Sequence, residues 1–380
     1  TAPYDRETDL TYWEEDPEAA VKALNTCYTY LGNMDEQLYC EAMTDNAYTK
    51  QPNDATQNIG NGSYSTADPY VKKVWDGRYT GIRMCNELLE NIDRVPDLDP
   101  ELKKRYIGEA KVLRAYNYYE LYTKFGDVPY TTKVLSIKES MSIARTAKAT
   151  VIANILADLD EVINGNYLPT SYDADNKGRI TRWAAMAIKA KIYLFEGNWT
   201  QVKNITSTIM TEGGFKLFGS YAGLFEIANE YNSEVILDAQ YRPTSREHQM
   251  MYVFLPPTLG GYSQLSPLQE LVDSYIMLDG KTIKETGTSF DESHPYANRD
   301  PRLKATVMYT GNSYTLADGT EVVINCEKGE GKDGYGVGSD CSATGYYIKK
   351  YWDNTYRATL YSGLNPILIR YADILLMNAE

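Results

Sequence analysis

The sequence predicts a mainly α-helical protein: tetratricopeptide-like helical hairpins form a scaffold, and a loop-rich subdomain with short strands is inserted into it. Apolar residues recur at helical spacing in most segments up to residue 232, which indicates amphipathic helices. Asp-Pro pairs at 16–17, 68–69 and 99–100 supply an N-cap residue followed by proline in the first helical turn. From about residue 233 to 366, short apolar runs alternate with glycine- and proline-rich stretches, a pattern typical of strands and loops.

Composition narrows the functional class. The chain has 380 residues, of which 43% are hydrophobic and 24% charged, an ordinary composition for one large or two closely joined domains. The net charge of −14 argues against nucleic-acid binding and against a polybasic membrane surface. Tyrosine is unusually frequent, with 34 Tyr against 7 Phe. Because tyrosine suits places where an apolar ring meets water, we expect either solvated seams between helices or a surface on which sugar rings stack.

The segment 103–130 is the predicted centre of the fold. Its helix begins after Asp99 and ends at Gly126, a residue suited to a left-handed C-cap. Apolar and aromatic residues occupy two of its faces, which predicts an interior helix. Its charged residues Glu109 and Arg114 would then be buried and would need partners.

The helical scaffold is predicted to span residues 1–232, with hairpins at about 68–95, 101–163 and 179–210. Small residues along the first helix of the last pair allow its partner to pack closely, as in tetratricopeptide repeats. Residues 43–67 are polar and lack an apolar period. Long loops of this kind are often functional, so we expect a binding loop there.

The second half of the chain is predicted to be a loop-rich subdomain at 233–366 that opens with a strand around Val235. Further short strands are expected at 304–310, 321–325 and 345–351. Residues 367–380 return to helical spacing and predict the start of another scaffold helix. Since this helix stops without a cap, we expect the natural chain to continue beyond it. The chain starts at Thr1 like a mature or trimmed protein, so we expect any export signal or lipid anchor to lie upstream of it.

Motifs for catalysis, cofactors and metals are weak. Residues 329–334 match the spacing of a dinucleotide-binding fingerprint, but the Tyr-Gly-Val-Gly run that follows cannot open the required helix. Residues 173–180 resemble the start of an EF-hand loop, but Ala184 stands where the bidentate glutamate belongs. The two histidines lack the spacing of a zinc motif. We therefore predict no catalytic residues, no metal ligands and no cofactor, and leave open an unassigned structural calcium ion.

The five cysteines are too few for a disulfide scaffold. Cys27, Cys40 and Cys85 lie in or near helical patterns and are expected to be reduced residues of the core. Cys326 and Cys341 flank a glycine-rich loop. Either a disulfide or two free thiols would fit there, because spacing alone cannot decide pairing.

Several co-linear segments resemble one known family. The run GEAKVLRAYNYYELYTKFGDVPY at 108–130 resembles the most recognisable motif of the SusD/RagB family of glycan-binding outer-membrane lipoproteins. Similar segments are VWDGRYTGIRMCNELLENID before it and GRITRWAAMAIKAKIYLFEGNW, SEVILDAQY, LQELVDSYIMLDG, RDPRLKATV, GYYIKKYWD and ILIRYADILLMNAE after it. Because these segments occur in order along nearly the whole chain, together they are far more specific than any one of them.

The resemblance implies tetratricopeptide-type helical pairs with a less regular region on top. It implies a non-catalytic lipoprotein at the outer-membrane surface of a Gram-negative bacterium, which captures oligosaccharide and delivers it to a TonB-dependent transporter of the SusC type. Two features depart from the family: no cysteine for lipid attachment occurs near Thr1, and family members continue past the equivalent of Glu380. The family motif residues expected to hold the scaffold are Trp75, Tyr79, Asn86, Arg114, Gly126 and Asp127.

Glycan-binding residues are expected on loops, because sugars need flat aromatic faces and polar groups together. The loops 43–67 and 241–265 offer both. The predicted ligand-binding residues are Asn46, Tyr48, Asn61, Tyr64, Tyr70, Tyr252 and Tyr262. One alternative is a glycoside hydrolase on a helical scaffold, which needs a suitably spaced pair of carboxylates. Another is a tetratricopeptide-like adaptor that binds only protein, a role that does not exclude sugar binding.

Overall fold

The computed structural model describes residues 8–9, 11–50, 56–316, 318–353 and 361–380. The α-helices are α1 (Ala19–Tyr28), α2 (Met34–Tyr39), α3 (Thr56–Gly60), α4 (Pro69–Asn91), α5 (Pro100–Phe125), α6 (Ile137–Ser140), α7 (Lys148–Asn164), α8 (Arg182–Phe195), α9 (Trp199–Glu212), α10 (Met250–Phe254), α11 (Gln269–Ser274), α12 (Pro301–Thr306) and α13 (Tyr371–Ala379). The strands are β1 (Ala47–Thr49), β2 (Val235–Asp238), β3 (Leu265–Pro267), β4 (Val307–Met308), β5 (Ser313–Thr315), β6 (Glu321–Val323), β7 (Tyr347–Ile348) and β8 (Ile367–Arg370).

The long helices pack against one another in nearly the order of the chain. Helix α4 packs on α5, α5 on α7, α7 on α8, α8 on α9 and α9 on α13, while α1 covers α4 and α5. Stacked pairs of this kind share one continuous core, and the largest core of the described residues runs through these helices. The predicted fold class, a mainly helical scaffold of tetratricopeptide-like hairpins, is confirmed.

Helix α5 lies inside this stack, as its two apolar faces predict. The Asp99 carboxylate accepts hydrogen bonds from the backbone N–H groups of Glu101 and Leu102 at its start. Gly126, with φ of 68°, ends the helix, in a region that residues with a Cβ avoid. Between Tyr106 and Tyr122, 12 residues are buried. This number exceeds what one stripe of a helix supplies, so neighbouring helices cover α5 on several sides.

The buried Glu109 carboxylate of α5 is matched by one cation of the same helix and by a cation and two hydroxyls from other segments. Arg105 Nε lies 3.2 Å from its Oε1, and Arg179 donates to its Oε2 at 3.2 Å. The hydroxyls of Tyr28 and Tyr172 donate to the same carboxylate at 2.5 and 3.4 Å. Burial raises the pKa of Glu109, and the two arginines oppose that shift. The cluster ties α1, α5 and the connection before α8 together.

Arg114 forms a second buried junction on α5. Its guanidinium donates to Asn86 Oδ1 at 2.9 Å and to Asp158 Oδ2 at 2.6 Å, and so joins α4, α5 and α7. Asn86 Nδ2 in turn donates to the carbonyl oxygens of Thr131 and Lys133. This chain of hydrogen bonds fixes the segment after α5 against α4.

The described residues form four antiparallel two-stranded sheets: β1–β3, β2–β8, β4–β7 and β5–β6. All the strands except β1 lie in the second half of the chain. The strands predicted near 235, 321–325 and 345–351 are present, although each is shorter than predicted. Three of these sheets join segments that are far apart in the chain, which explains why no local hairpin signal marks them. Strand β2 pairs with β8, with Leu237 opposite Ile369.

Three local predictions differ from the structure. The stretch 43–67 is not wholly loop, since β1 and α3 lie within it; its residues 51–55 lie outside the described residues. The predicted strand at 304–310 begins as α12, because Asp300 caps a helix that starts at Pro301. The predicted helix at 367–380 begins as strand β8, since β2 offers it a pairing edge, and becomes helical only at Tyr371.

The five cysteines are free thiols in the structure. The sequence left the state of Cys326 and Cys341 open, and both are buried without a bond between them. Cys341 Sγ instead approaches the carbonyl oxygen of Lys332 at 3.3 Å. The loop between these cysteines is therefore held by hydrogen bonds and not by a disulfide.

Glu109→Gln tests the buried charge cluster. We expect the free energy of unfolding to fall by roughly 3 kcal/mol, because removing one member of a buried ionic cluster leaves the others unmatched. Urea denaturation of both proteins measures the change. The matched control is Glu101→Gln, an exposed glutamate of the same helix, for which a change within about 0.5 kcal/mol is expected. Equal losses in the two variants would contradict the role of the cluster.

Candidate functional site

Two tyrosines that the sequence singles out stand side by side on the surface of the second half. Tyr252 lies in α10, and the chain returns past it so that the Tyr262 N–H donates to the Tyr252 carbonyl oxygen at 3.0 Å. Gly260 makes this return possible, with φ of 87°. The two rings are perpendicular, with centroids 4.3 Å apart, and their hydroxyls are hydrogen-bonded. Both rings are half-buried.

A third tyrosine from a distant segment completes this surface. The Tyr361 hydroxyl accepts a hydrogen bond of 2.5 Å from Gln249 Nε2, and Gln249 immediately precedes α10. Tyr361 is 40% exposed. The hydrogen bond with Tyr262 is the main cause that raises the pKa of Tyr252, and Tyr361 adds a smaller electrostatic contribution. We call the group Tyr252, Tyr262, Tyr361 and Gln249 the tyrosine surface. It combines aromatic faces with hydroxyl and amide groups, the mixture that a sugar requires.

Strand β1 extends the same region with another predicted residue, Tyr48. Tyr48 pairs with Ser266 of β3 and is 38% exposed, while its neighbours Ala47 and Thr49 are buried. Alternation along a strand places Tyr48 and Lys50 on one face. The Lys50 N–H donates to the Gln264 carbonyl oxygen at 3.0 Å, so β1 runs beside the segment that carries Tyr262. Tyr48, Tyr262 and Tyr252 therefore lie on adjacent segments: β1 pairs with β3, and the segment just before β3 carries Tyr262, which is hydrogen-bonded to Tyr252 of α10.

The other four predicted residues lie apart from the tyrosine surface, and three of them make polar contacts with other residues. Asn46 Nδ2 donates to Glu41 Oε2 at 2.7 Å. Asn61 Oδ1 accepts from the Ser63 N–H and hydroxyl within a surface turn. Tyr64 is exposed. Tyr70 places its hydroxyl 3.7 Å from Cys40 Sγ, and burial raises the pKa of that hydroxyl. Asn61 and Tyr70 thus have local structural partners, and their binding to a ligand stays a prediction.

A cavity of about 390 Å³ opens between the N-terminal helices, the strands and α13. Its aromatic and apolar walls are Leu38, Tyr221, Phe225, Leu265, Pro267, Leu271, Tyr275, Tyr351 and Leu376. Its polar walls are Gln37, Glu41, Asn46, Thr306, Lys350, Arg370 and Asp373. We call it the Lys350 cavity. Its volume falls within the roughly 300–1,000 Å³ of small-molecule sites.

Lys350 is the distinctive charge of this cavity. Its Nζ lies 4.1 Å from the centre of the Phe225 ring, with the Tyr221 and Tyr351 rings at 5.9 and 5.8 Å. Burial lowers the pKa of Lys350 to about 8, and the positive charge of Arg370 acts in the same direction. The ammonium rests on ring faces, an interaction that is weaker than a charge-assisted hydrogen bond.

Two neighbouring carboxyl groups have strongly raised pKa values, as the acids of a glycoside hydrolase often do. Burial raises the pKa of Asp238 to about 7 and that of Glu230 to about 6. Asp238 is almost fully buried, and its oxygens accept hydrogen bonds from Gln240 Nε2 and Asn365 Nδ2. Glu230 accepts from the Asn365 N–H. A general acid must reach its substrate, and Asp238 is enclosed by protein, so this pair does not form a hydrolase site.

The described residues contain neither a metal-binding cluster nor a membrane-spanning helix. Over residues 8–9, 11–50, 56–316, 318–353 and 361–380, no cluster of three or more His, Cys, Asp or Glu side chains has the geometry to hold a metal ion. Asp173, in the EF-hand-like segment, instead accepts hydrogen bonds from the Asn176 backbone and side chain. None of the described helices combines the length and apolar character that crossing a bilayer requires.

Sequence reasoning missed Gln249, Tyr361 and Lys350. Tyr361 contacts Gln249 across more than a hundred residues, and no local pattern records such a contact. The run Ile-Lys-Lys-Tyr-Trp at 348–352 does carry a signal, because a lysine between aromatic residues is a candidate for a cation resting on ring faces. Which of the two lysines does so could not be read from the sequence.

Comparisons with known proteins agree with this architecture. A family model described as starch-binding associating with outer membrane matches residues 18–194, and the SusD family model matches residues 224–380. A SusD-like protein of Formosa agariphila, called P25, is 30% identical over 251 residues, which are 59% of this chain and 47% of that protein. The chain thus spans about half the length of this relative.

Two crystal structures from Bacteroides fragilis have the same fold. A SusD-like carbohydrate-binding protein matches 97% of this chain and 74% of its own, with a TM-score of 0.85 and 25% identity. A second SusD-like protein matches all of this chain and 77% of its own, with a TM-score of 0.83 and 26% identity.

Asp238→Asn tests the buried carboxyl. The folded protein holds a proton on Asp238 up to pH of about 7, whereas the unfolded chain releases it above a pH of about 4. The unfolded state thus binds fewer protons between these values, so this group makes stability fall as pH rises through that window. The wild-type Tm should be lower at pH 8 than at pH 5 in part because of this group. We expect the difference in Tm between the two pH values to be smaller in Asp238→Asn than in the wild type. Asp45→Asn, at an exposed position, should leave the fall unchanged; an unchanged fall in Asp238→Asn would contradict the assignment.

Proposed function

The chain belongs to the SusD family, and on that premise we propose that it is a non-catalytic glycan-binding protein of the cell surface. The observation that carries the proposal is the tyrosine surface, which offers one exposed and two half-buried rings beside hydroxyl and amide groups. The carbohydrate-binding description of the similar Bacteroides fragilis protein supports it. The enclosure of Asp238 favours binding over glycoside hydrolysis.

The tyrosine surface spreads its rings over two distant segments of the chain, which suits a segment within a long glycan chain better than a single small sugar. Each ring that stacks on a sugar contributes on the order of 1 kcal/mol beyond area burial. Three tyrosines then support a dissociation constant in the millimolar range. Weak binding of this kind favours capture followed by release to a partner, and repeated units of one polymer can raise the overall avidity.

The proposed partner is a TonB-dependent transporter of the SusC type in the outer membrane, reached through an N-terminal lipid anchor. Family membership supports this proposal. On the helical scaffold, Phe195 and Trp199 flank the turn between α8 and α9 and are 51% and 50% exposed. Exposed aromatic pairs are typical of protein contacts, so this turn is a candidate for the transporter-facing contact, distinct from the sugar-binding surface.

Tyr252→Ala and Tyr262→Ala test the sugar-binding surface. We expect each variant to bind its best polysaccharide about fivefold more weakly, and the double variant about 20- to 30-fold, because each loses roughly 1 kcal/mol of stacking. Affinity gel electrophoresis against a panel of neutral and acidic polysaccharides identifies the ligand and measures the change.

The matched control is Trp199→Ala, which removes an exposed aromatic ring from the helical scaffold. It should leave polysaccharide retardation unchanged. A wild-type protein that binds none of the panel, or release of reducing ends from any polysaccharide, would contradict the proposed function. If the Trp199 and Tyr252 substitutions weakened polysaccharide binding equally, this result would show that the glycan does not bind at the tyrosine surface specifically.

A further inference from the structure

The Lys350 cavity contains a positive charge that the described protein does not neutralise. Lys350 Nζ rests on aromatic faces, and among the residues that the structure describes it has neither a hydrogen-bond acceptor nor a carboxylate within 4 Å. Burying an ammonium group without an anion is unfavourable in free energy. A ligand that supplies the anion would offset this unfavourable term.

Two other charges around the cavity are already paired. Arg370 lies 2.6 Å from Glu234 Oε1. Asp373 lies 2.6 Å from Lys191 Nζ. The Glu41 carboxylate accepts a hydrogen bond from the uncharged Asn46 amide and keeps its negative charge, which acts on Lys350 from beyond ion-pair distance. Lys350 is therefore the cation of the described walls that has no ion-pair partner within 4 Å.

The remaining walls suit a ring that carries hydroxyl groups. Tyr221, Phe225, Tyr275 and Tyr351 supply aromatic surface. Thr306 Oγ1 is buried beside the Tyr275 hydroxyl but forms no well-aligned hydrogen bond with a described residue. A buried hydroxyl of this kind gains from a polar ligand group.

We propose that the Lys350 cavity binds an acidic sugar residue, with its carboxylate against Lys350 Nζ and its ring against the aromatic wall. The sugar identity of the ligand rests on the proposed glycan-binding function, whereas the anion site rests on the cavity itself. The cavity is a separate site from the tyrosine surface: its walls come from α2, β1, β3, β7, β8 and α13, and none of the four tyrosine-surface residues lines it.

Ligand-observed NMR titration tests the proposal with methyl glucuronide, methyl glucoside and inorganic sulfate. The wild-type protein should bind methyl glucuronide at least about tenfold more tightly than methyl glucoside, the expected gain from a charge-assisted hydrogen bond. Lys350→Met, which keeps the length and apolar stem of the side chain, should abolish this difference. Lys350→Arg should retain most of it.

Lys349→Met is the matched control, because Lys349 is the neighbouring lysine and lies over Tyr314, outside the cavity. It should bind methyl glucuronide as the wild type does, and thermal melts of the variants verify folding. Equal affinity of wild type and Lys350→Met for methyl glucuronide would overturn the proposal. So would sulfate binding as tightly as methyl glucuronide, since the ring would then contribute nothing.

The outcomes separate this proposal from the proposed function. If polysaccharides bind through the tyrosine surface and methyl glucuronide does not bind, the cavity proposal fails and the glycan-binding function stands. If methyl glucuronide binds in a Lys350-dependent way and no polysaccharide binds, the cavity proposal stands and the proposed function of the tyrosine surface fails.

Discussion

A carboxylate that is fully enclosed in a stack of helices must be matched by positive charge and hydrogen-bond donors, and in this protein Glu109 imposes that constraint. Its partners Arg105, Arg179, Tyr28 and Tyr172 come from three segments. Arg105 belongs to α5 itself, and the other two segments can satisfy the carboxylate only in one position relative to this helix. The cluster therefore contributes to the specificity of the helical stack, in addition to the apolar core that supplies most of its burial energy.

The scaffold matters for function because it fixes where the loops begin. Asn86 and Arg114 hold the segment after α5, and β2 pairs with β8 at the edge from which α13 leaves. The tyrosine surface and the Lys350 cavity are both built from segments brought together by such long-range pairing. Gln249 contacts Tyr361, and Lys350 contacts Phe225, across more than a hundred residues. Their geometry depends on the fold as a whole and not on any one motif.

The features predictable from the sequence were those decided locally. Asp99 and Gly126 bound α5 because capping depends on a few neighbouring residues, and Glu109 and Arg114 required partners because two apolar faces implied burial. Strand β8 could not be predicted, because its conformation is decided by pairing with β2. The same reason hides Tyr361 and Lys350 as site residues, whereas Tyr48, Tyr252 and Tyr262 could be proposed from their loop positions and chemistry.

The proposed function requires the helical scaffold to present the tyrosine surface to glycan. Hydrogen–deuterium exchange with and without the best-binding polysaccharide measures this presentation, because amide protection reports local opening along the chain. We expect slower exchange at residues 249–264 and around Tyr361, with exchange in α5 unchanged. Protection confined to the helices of the scaffold, with none at 249–264, would contradict it.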